Sequence, residues 1–158
     1  MPFTIRRATT VDLPALLALE SGFPGDRLKR EHFRHLLTRA RADVWLYVAA
    51  EALLGNAIVL YRAGSRRARL YSLVISPAAR SRGLAQALVE AAKQAAAARG
   101  CGAMYLEVRC DNLPAINLYR KLGYSWVGRL PGYYEDGQDG WRFECALETP
   151  ATPPRMAA

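Results

Sequence analysis

Two β-rich runs, "ARLYSLVIS" (68–76) and "AMYLEVRC" (103–110), flank a proline, a loop centred on Gly83 and the alanine-rich "GLAQALVEAAKQAAAARG". The alanine-rich stretch predicts a helix of about 16 residues, closed by Gly100 in the left-handed position that ends many helices. A strand, a helix and a strand in series form a crossover, which is right-handed and joins parallel strands. The chain therefore builds a mixed α/β sheet with at least one parallel pair.

The remaining runs fit around that unit. "FTIRRA" (3–8) alternates as a first, edge strand, and "TTVDLPALLALE" (9–20) predicts a helix with Thr10 and Asp12 as cap candidates. A second amphipathic helix is expected from "DRLKREHFRHLLTRARA" (26–42), with Leu28, Phe33, Leu36 and Leu37 on one stripe. "DVWLYVAA" (43–50), "NAIVLYRA" (56–63) and 68–76 read as three antiparallel strands in series, turned by "EALLG" and "GSRR". After the crossover come a short helix, "LPAINLYRKLG" (113–123), and two closing strands, "SWVGRLPGYY" (125–134) and "WRFECALE" (141–148), joined at "EDGQDG". The expected order is β-α-α-β-β-β-α-β-α-β-β in a single domain over 1–148, with 149–158 a frayed, disordered tail.

Composition narrows the partners. The chain has 158 residues and a formal charge of +8, so an anionic partner is expected: nucleic acid, a membrane surface or a polyphosphate cofactor. Arginine- and alanine-rich coding bias is the bland source of the same excess. No window approaches the roughly 18 apolar residues of a membrane span, and the start lacks the apolar stretch of a signal peptide. A soluble, cytoplasmic protein is the expectation. Cys101, Cys110 and Cys145 form no C-x-x-C pair, and with only His32 and His35 beside them they read as reduced thiols rather than a metal site.

The loop "ARSRGLA" lies between a strand and a helix N-terminus, where unpaired N–H groups and the helix dipole favour an anion. Arg80 and Arg82 add charge, and Gly83 supplies a permissive backbone without a side chain. A plain structural turn is the alternative. The loop matches neither G-x-x-x-x-G-K-[ST] nor G-x-G-x-x-G. "RSRGLA" does resemble the R/Q-x-x-G-x-G/A loop of the GCN5-related N-acetyltransferases, with Ala85 in place of the commoner glycine. "LYSLVISP", "YLEVRCDNLPAINLYRKLGY" and the closing "PGYYEDGQDGWRFECAL" resemble that family's following elements in the same order, across about residues 3–148. The ending and "SGFPGDRLKREHF" are similar to the branch that acetylates the N-terminal alanine of a ribosomal protein.

That resemblance implies acetyl-coenzyme A as co-substrate and no metal. It implies that Leu73, Val74 and Ile75 pair with the pantetheine arm, and that Arg80, Ser81, Arg82, Gly83, Leu84, Ala85 and Gln86 hold the pyrophosphate. The cofactor would enter a cleft between strand 68–76 and strand 103–110. Asn112 is implied as a further coenzyme A contact, with a helix N-cap as its structural reading. Glu107 is implied as general base; burial among apolar neighbours would raise its proton affinity, whereas a salt bridge to Arg109 is the bland account. Tyr119 is implied as the group that contacts coenzyme A and protonates the departing thiolate, the alternative being a core tyrosine on the stripe of Ile116 and Leu122. Phe23, Asp26, Tyr133 and Tyr134 are the candidate acceptor-binding residues. Glu135, Asp136 and Asp139 either attract a cationic amine or serve only as turn chemistry.

The expected activity is direct acetyl transfer to a primary amine, a protein N-terminus being the favoured acceptor. N-acetylation of a small amine is the alternative, since Trp141 and Phe143 are bulkier than the ribosomal-protein branch carries. An acetyl-cysteine route through Cys110 is disfavoured because neither histidine lies near it in sequence. A basic nucleic-acid module is a rival of another class, built on the 27–41 region and on Arg66, Arg67 and Arg69, but no nucleic-acid motif accompanies the charge and no such partner is expected. A regulatory acetyl-CoA-binding domain without turnover is a third. No membrane partner is expected, and the assembly is a monomer or a homodimer.

Overall fold

A computed structural model describes residues 2–22, 28–38, 41–80 and 82–148. The elements are β1 (Phe3–Arg7), α1 (Leu13–Glu20), α2 (Arg30–Thr38), β2 (Ala42–Ala49), β3 (Ala52–Leu60), β4 (Arg67–Ile75), α3 (Leu84–Ala98), β5 (Ala103–Arg109), α4 (Leu113–Lys121), β6 (Ser125–Leu130) and β7 (Gly140–Ala146). The expected order is the observed one. The strands form one seven-stranded sheet in the order β1-β2-β3-β4-β5-β7-β6. The crossover through α3 makes β4 and β5 parallel, with Arg67, Ala68 and Arg69 opposite Ala103, Met104 and Tyr105. The pairs β1/β2, β2/β3, β5/β7 and β6/β7 are antiparallel.

The described chain divides into two compact units, residues 1–63 with 70–92 and residues 64–69 with 93–158, so β4 and α3 each contribute to both. In the first unit, Leu13 and Leu16 of α1 and Phe33 and Leu36 of α2 pack on Val44 and Leu46 of β2 and Ile58 of β3. Each of these side chains is buried, and burying one contributes about 1.5–3 kcal/mol. The entry to α1 is fixed by Asp12, whose carboxylate accepts from the Thr9 amide at 2.8 Å and from both terminal nitrogens of Arg6 at 2.8 and 2.9 Å. The Arg6 guanidinium first, and the Thr9 amide with it, hold the Asp12 carboxyl below the usual carboxylate range.

The β2–β3 turn differs from the sequence reading, which spanned 51–55. Ala50 and Glu51 form a two-residue turn with φ of 50° and 61°, so β3 begins at Ala52. Two consecutive positive φ angles define the tight turn that matches strand twist, and neither residue is the Asn or Gly that announces it. A register shift at Tyr47/Val48 then aligns Tyr47 with Gly55 and Val48 with Leu53. Gly55 is required there: a Cβ would lie 2.8 Å from Ile75 Cδ1 and 3.2 Å from the Val74 carbonyl oxygen. The second helix is also shorter than 26–42, running from Arg30 to Thr38.

In the second unit, β5 alternates strictly. Met104, Leu106 and Val108 are buried, and Cys145, Phe143 and Trp141 of β7 lie opposite them. Ile116 of α4, with Leu122 and Tyr124, is buried as well. Tyr105, Glu107 and Arg109 therefore occupy the other face, with Glu144, Arg142 and Gly140 opposite them. One face of β5 and β7 is apolar core and the other is a lattice of charges and aromatic rings.

Candidate active site

In the first unit, β4 leads through Ser76 and a single 3₁₀ turn at Pro77–Ala79 to α3. Gly83 has φ of 78°, open space where its Cβ would point, and a carbonyl that accepts the first helical bond from the Ala87 amide. The amides of Leu84, Ala85 and Gln86 thus have no acceptor within the helix, and they face the N-terminal pole of a 15-residue helix. Arg80 and Arg82 are exposed beside them. Val74 is buried, whereas Leu73 and Ile75 are half-buried. Ser81, Phe23 and Asp26 lie outside the described residues. Near Gly22 the first unit holds a cleft of about 350 Å³ lined by Ala15, Ala18, Gly22, Leu53, Ser76 and Pro77.

The second unit carries the candidate chemistry. Glu107 has only 7% of its side chain exposed. Its Oε2 accepts from Arg69 Nε at 3.1 Å, and its Oε1 accepts from Arg142 Nη2 at 3.2 Å. The sequence reading set it among apolar neighbours with Arg109 as its bland partner; the structure instead gives it two guanidiniums, from β4 and β7. Burial works against the charge on Arg69, and Glu107 with Tyr133 and Tyr105 more than offsets it, so the guanidinium's proton affinity is raised. Arg69 Nη2 also reaches the Tyr133 hydroxyl at 3.4 Å. Arg67 pairs with Glu144 at 2.5 Å, and the guanidiniums of Arg67 and Arg142 lie 4.4 and 5.3 Å from the Tyr105 ring centroid.

Arg109 is spent elsewhere. Its Nη2 donates to Asp136 at 2.6 Å and its Nε to Asp111 at 3.2 Å, while its Cζ stands 5.1 Å from the Tyr134 ring. Asp139 accepts from Arg129 Nε at 2.7 Å and from the Gly132 amide at 2.9 Å. Of the two readings of the acidic cluster, the turn reading describes Asp136 and Asp139, which are held by arginines and backbone; Glu135 is exposed. The expected strand 125–134 is shorter than read, because β6 ends at Leu130 and Tyr133 and Tyr134 belong to the loop. That loop is fastened to the end of β5, where Gln138 Nε2 donates to Asp111 at 3.2 Å and the Cys110 amide to the Asp139 carbonyl at 3.1 Å. Tyr133 is 46% exposed and stands at 87° to the Tyr134 ring. Burial, with Tyr133 and Glu107 nearby, pushes the Tyr134 hydroxyl up.

Tyr119 sits on the last turn of α4, which is held firmly. Gly123, with φ of 93°, lets the Tyr124 amide bond back to the Tyr119 carbonyl at 3.0 Å, and Lys93 Nζ caps the Leu122 carbonyl at 2.6 Å. The Tyr119 ring meets the Tyr124 ring edge-on at 5.8 Å. Burial of the hydroxyl, helped by Tyr134, pushes its pKa up to about 12. Asn112 is the N-cap of α4, its Oδ1 accepting from the Ala115 amide at 3.3 Å, so its structural reading is realised.

Arg69 and Arg142 are the residues sequence reasoning missed, and they lie 38 and 35 positions from Glu107. Arg142 was open to inference from the β5/β7 register alone; Arg69 required the parallel β4/β5 register. Trp141 and Phe143, whose bulk set the ending apart from the ribosomal-protein branch, lie on the face of β7 opposite Arg142, with Phe143 wholly buried. Cys101, Cys110 and Cys145 form no disulfide. Among the described residues no group of three or more His, Cys, Asp or Glu side chains could hold a metal, and no helix is long and apolar enough to cross a membrane.

Comparison with known proteins shows the family and the fold. The profile of the Acetyltransferase (GNAT) family matches residues 13–124, and the chain belongs to that family. It is 34% identical over 97 residues to the streptothricin acetyltransferase of Streptomyces lavendulae, covering 60% of this chain and 51% of that protein. It is 38% identical over 83 residues to an N-alpha-acetyltransferase of Sulfurisphaera tokodaii, covering 52% of this chain and 50% of that protein. The matched part thus spans about half the length of these relatives. The crystal structure of the ribosomal-protein-S18-alanine N-acetyltransferase from Escherichia coli has the same fold, with a TM-score of 0.83, 24% identity, and coverage of 99% of this chain and 100% of that one. Other solved structures of this fold hold coenzyme A or acetyl-coenzyme A.

Proposed function

We propose that the protein is an acetyl-coenzyme A-dependent N-acetyltransferase that transfers the acetyl group directly to a primary amine, the N-terminal α-amine of a protein being the acceptor. The observation that carries the reading is the Glu107 and Tyr119 pair, a buried, ionisable carboxylate and a desolvated phenol, in a chain of this family. Acetyl-coenzyme A supplies an activated thioester. The amides of Leu84, Ala85 and Gln86, with Arg80, Ser81, Arg82 and Gly83, receive its pyrophosphate, and the Leu73–Ile75 backbone aligns the pantetheine arm and offers an N–H to the carbonyl oxygen. Asn112 can alternate between its capping bond and the cofactor.

Glu107 takes a proton from the acceptor ammonium, directly or through a water, leaving a neutral nitrogen to attack the acetyl carbon. The carbon–sulfur bond then breaks and its electron pair leaves on sulfur, toward which Tyr119 directs its hydroxyl, while the surplus proton on the new amide nitrogen passes to the thiolate or to solvent. An α-amine has a pKa near 7.7–8.0, against about 10.4 for lysine, so it needs less help from Glu107. Tyr133 and Tyr134, with Phe23 and Asp26, are the proposed acceptor contacts. The nucleic-acid reading loses support, because Arg67 and Arg69 are engaged by Glu144 and Glu107. Acetylation of a small amine remains the second reading, favoured by the likeness to streptothricin acetyltransferase.

Thiol release from acetyl-CoA, measured with an Ala-initiated peptide, a lysine peptide, polyamines and amino acids, tests the proposal. Turnover with the Ala-initiated peptide is expected. Turnover with small amines alone would replace the protein acceptor by the small one, and none with any amine would remove the catalytic reading.

A further inference from the structure

Arg109 stands two residues beyond Glu107 on the same face of β5. Its guanidinium is forked between two carboxylates. Nε and Nη2 donate to the two oxygens of Asp111 at 3.2 and 3.5 Å, and Nη1 and Nη2 donate to the two oxygens of Asp136 at 3.3 and 2.6 Å. Cζ lies over the face of the Tyr134 ring, 5.1 Å from its centroid. The carboxylates of Asp111 and Asp136 are 49% and 55% exposed, and pairs so open to solvent contribute little to folding. What a doubly forked contact supplies instead is direction.

The part directed is a loop with few other ties. β6 ends at Leu130, and the backbone bonds of Tyr134 stay inside the loop: its amide donates to the Gln138 carbonyl at 3.1 Å and its carbonyl accepts from the Gly137 amide at 2.9 Å. Gln138 joins the same network, its amide donating to Asp136 Oδ1 at 3.1 Å and its Nε2 to Asp111 Oδ2 at 3.2 Å. Glu135 is exposed and makes no ion pair among the described residues. The Tyr134 ring is held by Arg109 and by the edge-on ring of Tyr133, while its hydroxyl makes no hydrogen bond among the described residues. A phenol with a fixed ring and an unbonded hydroxyl is suited to receive a ligand.

We infer that Arg109, fixed by Asp111 and Asp136, is a positioning residue for the acceptor: it holds the Tyr134 ring so that the hydroxyl meets the incoming amine substrate. This rests on the acetyltransferase reading above, in which Tyr134 contacts the acceptor. Arg109 touches neither the acceptor nor the thioester, so its loss weakens acceptor binding and leaves acetyl-CoA binding and the chemical step in place. It acts by geometry. Were it to act on the acceptor through its charge, its loss would relieve repulsion of the ammonium and lower the acceptor KM.

The test is a double-mutant cycle read in the KM of an Ala-initiated peptide, with kcat and the KM of acetyl-CoA measured alongside. Arg109→Gln should raise the peptide KM about three- to tenfold, while kcat and the acetyl-CoA KM stay within about twofold. Asp136→Asn, a change on the exposed loop, should act in the same direction. Arg109→Lys should fall between the wild type and Arg109→Gln, because an ammonium cannot fork two carboxylates. Tyr134→Ala should raise the peptide KM at least as much as Arg109→Gln, and adding Arg109→Gln to it should change that KM by less than about twofold. Fully additive losses in the Tyr134→Ala background would overturn the inference, since Arg109 would then act independently of Tyr134. A lowered peptide KM in Arg109→Gln would overturn it too, as would a fall in kcat with KM unchanged. If Arg109→Gln does not fold, Asp136→Asn with and without Tyr134→Ala gives the same comparison. No turnover of any amine by the wild type overturns the acetyltransferase reading and this inference with it, whereas turnover with an unaltered peptide KM in the Arg109 and Asp136 variants overturns this inference alone.

Discussion

Replacing Tyr119 by Phe isolates one oxygen atom in a setting that fixes what that oxygen can do. Burial and the nearby Tyr134 push its pKa up to about 12, so at pH 8 about one phenol in 10⁴ is ionised. The group is a competent donor across the working range. It is also a weaker acid than a thiol of pKa about 8.5, by roughly 3.5 units, so complete proton transfer to the departing sulfur is uphill. On the proposed mechanism, Tyr119 therefore serves as a hydrogen-bond donor to the developing thiolate rather than as a full proton donor. A hydrogen bond to a charged group is worth about 1.5–3 kcal/mol, which corresponds to a roughly 10- to 160-fold loss of kcat in Tyr119→Phe. Full general-acid catalysis would instead be worth about 10²–10⁴. The ring's edge contact with Tyr124 survives the change, so packing and acetyl-CoA affinity should move less than about threefold. The assay is thiol release at saturating substrates from pH 6 to 10.5, with acetyl-CoA binding followed by calorimetry. An alkaline limb below pH 10 that vanishes in Tyr119→Phe would refute the argument, as would a loss of affinity equal to the loss of kcat.

Other consequences follow from the same contacts. Because Tyr119 holds its proton more tightly folded than unfolded, its contribution to stability is complete below pH 10 and is lost as pH rises toward 12; urea midpoints should fall over that window in the wild type and less in Tyr119→Phe. Asp12→Ala removes the link between Arg6 and the Thr9 amide and should cost about 1 kcal/mol in urea unfolding, an effect reproduced in the wild type as pH falls below the ordinary carboxylate range. Gly83→Ala must hold a Cβ at φ of 78° and should destabilise by about 1–2 kcal/mol while weakening acetyl-CoA binding; unchanged affinity would make the loop a turn only. Asp136→Asn weakens the tie between Arg109 and the loop while the Asp111 contact remains, so amide exchange across 131–139 should speed up while β5 stays protected.

How far the sequence could be read depends on the range of the interactions involved. The crossover, the glycine stop at Gly100 and the β-rich run at 103–110 are local or periodic signals, and each appears where the chain predicts it. The β2–β3 turn was not legible because Ala50 and Glu51 adopt positive φ without the residue types that favour it, their conformation being imposed by strands that pair on either side. The partner of Glu107 was misread for a related reason. Same-strand spacing points to Arg109, but cross-strand geometry delivers Arg142 and Arg69, and Arg109 is drawn off by Asp111 and Asp136. Charge counted along the chain likewise suggested a basic surface at Arg67 and Arg69 that the fold consumes in ion pairs.

The central claim is direct transfer of acetyl from the thioester to an amine, and a single turnover tests it most directly. Protein preloaded with acetyl-CoA is mixed rapidly with an Ala-initiated peptide, quenched over time, and analysed by mass spectrometry that locates the acetyl group. The account predicts acetyl on the peptide's α-nitrogen at every time point, with no acetylated protein preceding it. Acetyl found first on Cys110, or a peptide left unmodified by protein that has bound acetyl-CoA, would contradict it.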